Sequence, residues 1–269
     1  MRTQLRLIRS RDNPRIKALL RLARSGREQR ASGTAILDGE RLIDAYRSSG
    51  RTAEVVLASE AACESAPVRA LMESAPARAR LLLSESLVRQ ISQVVTSSGV
   101  VAIVRIPEPG ALPERIANCL LLEGVQDPGN LGSILRSAAA AAIEHVFLSP
   151  GSAYAWSPKA VRAGMGAHFA LSIHEGVRPA SLVPRALGQV IATGPQASRT
   201  LFEADLRGPV AWLFGNEASG LSEEARRVAT AHVRIPMPGA AESLNVAASV
   251  AICLFEQLRR RHAAQVPAA

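Results

Sequence analysis

Three short blocks in the second half of the chain carry amide, hydroxyl, carboxylate and guanidinium side chains beside glycines, each directly behind an apolar run. The first, Asn130-Leu131-Gly132-Ser133-Ile134-Leu135-Arg136, follows the run at 119–122 through Glu123-Gly124 and Asp127-Pro128-Gly129, and opens a helix at Asn130. Gly129 and Gly132 permit close backbone approach, and a helix start can hold a phosphate. Arg136, about one and two-thirds turns beyond Asn130, stays near the same end of the sheet. Alone, this block reads more readily as a capping Asn and a surface cation than as a site. The second, Gly215-Asn216-Glu217-Ala218-Ser219-Gly220-Leu221, follows the run at 210–214. Its glycines bracket Asn216 and Glu217 in a tight loop, and Ser222 is placed to cap the next helix. Such a loop offers backbone N–H and C=O groups to a flat nucleobase, or satisfies only itself. The third, Ile235-Pro236-Met237-Pro238-Gly239, runs into Ser243-Leu244-Asn245-Val246 and a helix of small residues. Packing on a sheet explains those small residues but not the polar Ser-x-Asn before them. Together the blocks point to a ligand site at the open edge of an α/β sheet.

Alternating elements must hold these blocks. Strands are expected at 119–122, 145–148, 189–193, 210–214 and 232–235, and helices at 131–142, 158–165, 222–230 and 244–262. This alternation predicts a mostly parallel sheet with helices on both faces. Pro107, Pro109, Gly110 and Pro113 mark a linker before it. Ahead of the linker, Asn13-Pro14 reads as a helix start, with Ile16, Leu19, Leu20 and Ala23 on one face and Lys17, Arg21 and Arg24 on another. Strands at 34–39, 54–58, 80–83 and 99–104 with a helix at 41–48 complete a smaller α/β unit. No internal repeat is present.

The chain has 269 residues, enough for two domains, and 48% hydrophobic residues, enough for a folded core. Its net charge of +9 is uneven. Residues 1–30 hold nine Arg and one Lys against Asp12 and Glu28, a net +8. Charge concentrated in this way fits a polyanion partner, against the alternative of a solvated Arg-rich tail. Cys63, Cys119 and Cys253, odd in number and far apart, read as buried thiols of a reducing compartment. Arg2, Arg6, Arg9 and Arg11 lead into no long apolar stretch, so neither a signal peptide nor a membrane span is expected, and the expected location is cytoplasmic. There is no G-x-G-x-x-G, no P-loop lysine and no G-x-S-x-G elbow; the five histidines lack metal-ligand spacing, so no metal is expected.

Over about residues 118–258, the three blocks in their order resemble motifs one, two and three of the SpoU (TrmH-like) RNA ribose methyltransferases, of the knotted SPOUT class. The segment 157–167 is similar to the family's stretch before its middle strand, with Lys159 and Arg162 spaced i, i+3 to suit phosphates; Val190-Ile191-Ala192-Thr193-Gly194 is similar to the strand whose end touches the cofactor. The stretches at 10–22 and 35–46 resemble the L30e-like RNA substrate-binding domain joined to many such enzymes. Ala218 and Ala142 depart from a frequent glycine.

The resemblance implies an α/β fold: a C-terminal, mostly parallel sheet flanked by helices with a deep trefoil knot, plus a smaller N-terminal L30e-like α/β domain. General rules of chain topology would not produce the knot. The implied division is 1–105 for substrate binding, 106–117 as linker, 118–262 for catalysis and 263–269 as a disordered tail. The implied function is S-adenosylmethionine-dependent methylation of a ribose 2′-hydroxyl. The RNA-binding N-terminal domain favours 23S ribosomal RNA over the alternative of tRNA. A non-catalytic RNA-binding assembly factor is a further alternative, but Asn130, Arg136, Glu217, Ser243 and Asn245, the implied catalytic set, are all present. Thr193, Gly194, Leu213, Gly215, Asn216, Ile235, Met237 and Leu244 are implied to hold the cofactor. Arg15, Lys17, Arg21, Arg24, Lys159 and Arg162 are expected to contact RNA. The family view makes Arg136 the base; because a guanidinium scarcely ever gives up its proton, the physical expectation is that it clamps the adjoining phosphate and orients the hydroxyl. A homodimer through the C-terminal domain is also implied.

Overall fold

The computed structural model describes residues 5–92 and 97–265. The chain forms two compact units: Met1–Pro107 with Trp156–Phe169, and Glu108–Ala155 with Ala170–Ala269.

In the first unit β1 (Leu7–Ile8), α1 (Pro14–Arg24), α2 (Gly26–Ser32), β2 (Thr34–Asp38), α3 (Glu40–Ser48), β3 (Val55–Ser59), α4 (Ala66–Ser74), β4 (Arg80–Leu83), α5 (Glu85–Ile91) and β5 (Val100–Arg105) succeed one another. The five strands form a mixed sheet in the order β1-β4-β3-β5-β2. The start of α1 is fixed by two local devices: the Asn13 side chain accepts from the Arg15 N–H at 2.9 Å, and Pro14 occupies the first turn. Ile16, Leu19, Leu20 and Ala23 then pack into a core with Ile36, Leu57, Leu81 and Leu83. Arg15, Lys17, Arg21 and Arg24 stay exposed. The sequence reading lacks β1, α2, α4 and α5. Two residues are too few for a strand signal, and Gly-Arg-Glu-Gln-Arg-Ala-Ser in α2 has no apolar stripe.

The chain continues with β6 (Cys119–Leu122), α6 (Pro128–Ala140), β7 (His145–Leu148), α7 (Pro158–Gly164), β8 (Ser172–Glu175), α8 (Pro179–Leu182), β9 (Gln189–Thr193), β10 (Arg199–Thr200), β11 (Val210–Phe214), α9 (Glu223–Val228), β12 (Ala231–Arg234) and α10 (Val246–Gln265). The second unit's seven-stranded sheet has the order β10-β12-β9-β11-β6-β7-β8, and every pairing is parallel. Strands β6 and β11 are buried along their whole length, which is why they read as unbroken apolar runs. Ala211 and Leu213 face Leu182 of α8 and Ala225 of α9. On the other face the Trp212 indole N–H donates to Gln257 Oε1 of α10 at 2.8 Å, and α6 packs beside α10.

Three differences from the sequence reading have physical causes. Helix α6 starts at Pro128, because Asp127 is its cap: the Asp127 carboxylate accepts the Asn130 N–H at 2.8 Å. Helix α10 runs through Gln265, so residues 263–265 of the expected disordered tail are helical, as Ala263 and Ala264 favour; residues 266–269 lie outside the described residues. The segment Trp156–Phe169, expected within the block 118–262, belongs to the first unit. There α7 packs along β2, and the Phe169 ring meets Tyr46 edge-on at 5.2 Å. Strand β2 is an edge strand of its sheet, and such edges are commonly covered.

Strands β6 and β11 are neighbours, yet the chain leaves β6 toward β7 and leaves β11 toward β12, on opposite sides. A parallel sheet that diverges in this way opens a crevice beyond the strand ends at the point of divergence. The first two blocks emerge there.

Candidate active site

The loop after β6 turns at Gly124 and the loop after β11 turns at Gly220, both with φ of 67°, a left-handed conformation that glycine adopts without penalty. Gly215 is required for another reason. A Cβ there would lie 2.1 Å from the Gly220 carbonyl carbon, because the two arms of the loop touch. Asn216 and Gly220 exchange backbone hydrogen bonds of 3.1 and 2.9 Å. The Asn216 side chain accepts from Ala218 N, Ser219 N and Ser219 Oγ and donates to the Gly124 carbonyl at 2.8 Å.

Side chains from all three blocks meet in a relay. Asn130 Nδ2 donates to Glu217 Oε1 at 3.1 Å, and Asn245 Nδ2 donates to Asn130 Oδ1 at 2.9 Å. Asn245 Oδ1 accepts from the N–H groups of Ala247 (2.9 Å) and Ala248 (3.3 Å), capping α10. Glu217 Oε2 also takes the Gln126 N–H at 3.4 Å. Burial raises the Glu217 carboxyl, but the Asn130 amide and surrounding backbone N–H groups outweigh it, leaving the group below the usual carboxylate range. The relay therefore holds a carboxylate, and both Asn amides have fixed orientations.

Arg136 and Ser243 stand outside the relay. Six residues along a helix leave Arg136 about 120° around the axis from Asn130. It lies on the exposed strip of α6 with Ser133 and Ala140, and among the described residues its side chain makes no hydrogen bond or ion pair. Ser243 is exposed in the segment before α10. Glu123 was not singled out in the sequence: its carboxylate accepts the Ser222 N–H at 2.7 Å and the Ser222 hydroxyl at 2.8 Å. A partner 99 residues away leaves no local signal.

The expected cofactor positions lie at the ends of adjacent strands, Thr193 and Gly194 at β9, Leu213 and Gly215 at β11, Ile235 and Met237 after β12. Thr193 Oγ1 donates to the Leu213 carbonyl at 3.1 Å, and the Gly194 N–H donates to Val233 at 3.0 Å. The Leu213 side chain is in the core, so only its backbone faces this edge. Ile235 and Met237 are half-buried, Leu244 is exposed, and a Cβ on Gly194 would meet nothing within 4 Å. Half-buried Ile235 and Met237 and the backbone polar atoms at the ends of β9 and β11 are the kind of groups that suit a nucleoside cofactor such as S-adenosylmethionine. Among the described residues no cluster of three His, Cys, Asp or Glu could hold a metal, and no helix is long and apolar enough to cross a membrane.

Of the expected RNA contacts, Arg15 donates to the Arg78 carbonyl at 2.9 Å, Lys17 pairs with Asp12 at 3.1 Å, and Arg21 and Arg24 extend from the last turn of α1. Lys159 and Arg162 are exposed on α7, within the first unit.

Residues 117–255 match the model of the SpoU rRNA methylase family, and the chain belongs to that family. It is 34% identical over 265 residues to an uncharacterised tRNA/rRNA methyltransferase of Synechocystis, spanning 97% of this chain and 96% of that one. It is 28% identical over 254 residues to the 23S rRNA (guanosine(2553)-2′-O)-methyltransferase RlmP of Bacillus subtilis, spanning 93% and 98%. Among solved structures, an RNA 2′-O ribose methyltransferase superposes with a TM-score of 0.83 at 33% identity, covering 96% of this chain and all of that one. The SpoU methyltransferase AviRb of Streptomyces viridochromogenes, in complex with AdoMet, superposes with a TM-score of 0.82 at 25% identity, covering 93% and 98%.

Proposed function

We propose that this chain transfers a methyl group from S-adenosylmethionine to a ribose 2′-hydroxyl of ribosomal RNA. The observation that carries this is the Glu217–Asn130–Asn245 relay at the β6/β11 divergence, which joins the three blocks in one place. The cofactor supplies a methyl group already electrophilic on its sulfonium; the protein's part is alignment. Thr193, Gly194, Gly215, Asn216, Ile235, Met237 and Leu244 hold it, with Leu213 contributing backbone. Asn130, with one amide N–H and one lone pair left after its two relay bonds, orients the ribose. Arg136 clamps the phosphate beside the target and steers the hydroxyl. Holding the reacting groups in place can supply up to about 7–11 kcal/mol of such a barrier.

The relatives named for ribosomal RNA and the basic α1 support an RNA substrate held by Arg15, Lys17, Arg21, Arg24, Lys159 and Arg162. The segment before α10 completes a trefoil knot, and the protein works without metal in the cytoplasm. It is a homodimer through the C-terminal unit, for which the exposed Ile252 and Phe255 of α10 offer an apolar face. The test is a map of alkali-resistant sites across ribosomal RNA from a deletion strain. One ribose methylation should vanish, return with the wild-type gene and stay absent with Arg136→Ala. An unchanged map refutes the assignment.

A further inference from the structure

The loop between β11 and α9 is a closed hairpin whose position depends on two ties to the end of β6. At its entry Asn216 donates to the Gly124 carbonyl, and the Glu123 N–H donates to the Phe214 carbonyl at 2.8 Å. At its exit both donors of Ser222 converge on one carboxylate, that of Glu123, at 2.7 and 2.8 Å. The Ser222 hydroxyl oxygen meanwhile accepts the Ala225 N–H at 3.1 Å and caps α9. Hydrogen bonds to an ionised acceptor are about twice as strong as neutral ones, so the exit tie is the stronger anchor. We propose that Glu123 is a positioning residue that latches the Gly215–Ser222 loop through Ser222, holding it ready for the cofactor. This rests on the reading of that loop as part of the S-adenosylmethionine site. A loop ordered beforehand spares the ligand the cost of ordering it; an unlatched loop weakens cofactor binding, while the liganded loop closes in either protein and turns over normally.

The test separates the latch from the helix cap. Asp caps helices as well as Ser does, so Ser222→Asp keeps the start of α9 but sets a second carboxylate against Glu123. Glu123→Gln retains an acceptor for the Ser222 N–H, and in the double variant its amide donates to the newly introduced carboxylate. Calorimetry with S-adenosylmethionine on the full chain should show Glu123→Gln within about threefold of wild type, Ser222→Asp weakened by about tenfold or more, and the double variant restored to within about threefold. Turnover at saturating cofactor should stay within about twofold throughout. Thermal melting of the same four proteins keeps the comparison to folded samples; if Ser222→Asp does not fold, Ser222→Ala and Glu123→Ala replace it, each weakening binding and the pair together no more than the larger single change. Wild-type affinity in Ser222→Asp, or a weakening that Glu123→Gln does not relieve, overturns the latch and leaves the methyltransferase reading intact. Failure of the wild-type protein to bind S-adenosylmethionine overturns both.

Discussion

Asn130 has two neighbours that depend on it: a Glu217 carboxylate kept ionised in part by its amide, and Asn245 at the head of α10. Asn130→Ala should leave both short of a partner and reduce turnover by about two orders of magnitude, with S-adenosylmethionine affinity changed less than about threefold by calorimetry. Arg136 is different, since among the described residues its side chain makes no hydrogen bond or ion pair. Arg136→Ala should leave melting temperature and cofactor affinity unchanged, weaken RNA binding modestly and cut turnover at least a hundredfold. Arg136→Lys discriminates between its roles: a phosphate clamp is partly kept by an ammonium, although a planar fork is not. Recovery of a tenth or more of wild-type turnover by Lys supports the clamp. At this scale Asn130, Glu217 and Asn245 were singled out through the resemblance to the three family motifs, since each alone reads as well as a cap or a turn residue; the hydrogen bonds that join them come from the fold. Glu123 was not, because its role is set by a residue distant in the chain. The cap role of Asp127 was hidden by the more conspicuous Asn130.

The buried tie between β11 and α10 makes a prediction about elements. Gln257 receives the Trp212 indole N–H and donates to Asn118 Oδ1 at 2.9 Å, which in turn accepts the Val210 N–H at 3.1 Å. Gln257→Leu leaves a buried indole N–H without its acceptor and should cost about 1–3 kcal/mol in urea denaturation. A second prediction concerns pH. On β8, His174 is buried beside His145, ring centres 5.7 Å apart, and stacks on Phe147 at 4.8 Å. Burial first, then the His145 charge, push it below the ordinary histidine value. The folded chain thus prefers neutral His174, while the unfolded chain takes up a proton near pH 6.5. This contribution to stability is complete above about pH 6.5 and is lost as pH falls through that value toward the folded-state one. His174→Phe should flatten the decline in stability between about pH 7.5 and 5.5; an unchanged decline would place its origin elsewhere. Such a histidine also explains why β8 was missed, since Ser-Ile-His-Glu shows neither an apolar run nor turn punctuation. The parallel strands β6, β7, β9 and β11 were legible because burial on both faces forces apolar runs; β12 is only partly buried, and two-residue β1 and β10 are defined only by the strands they join.

At the scale of the whole molecule, the chain's charge and its division into units predict different things. Replacing Arg15, Lys17, Arg21 and Arg24 by Gln should weaken RNA binding and flatten its log–log salt dependence by about 0.7–0.9 for each phosphate charge no longer neutralised, with cofactor affinity unchanged. Removing residues 1–107 is not the same experiment. Trp156, Ala160, Val161 and Phe169 are buried within the first unit, so the truncated chain would expose them and should melt lower than the full protein. That interleaving could not be read from the sequence, because the segment lies among elements of the other unit. The central claim is the position of the methyl group. The most direct test incubates the protein with ribosomal RNA and S-adenosylmethionine labelled in its methyl group, then hydrolyses the RNA in alkali, which needs a free 2′-hydroxyl to cleave. Label recovered in an alkali-resistant dinucleotide, and absent with Arg136→Ala, is the predicted result; label in mononucleotides, or no label in RNA at all, would contradict it.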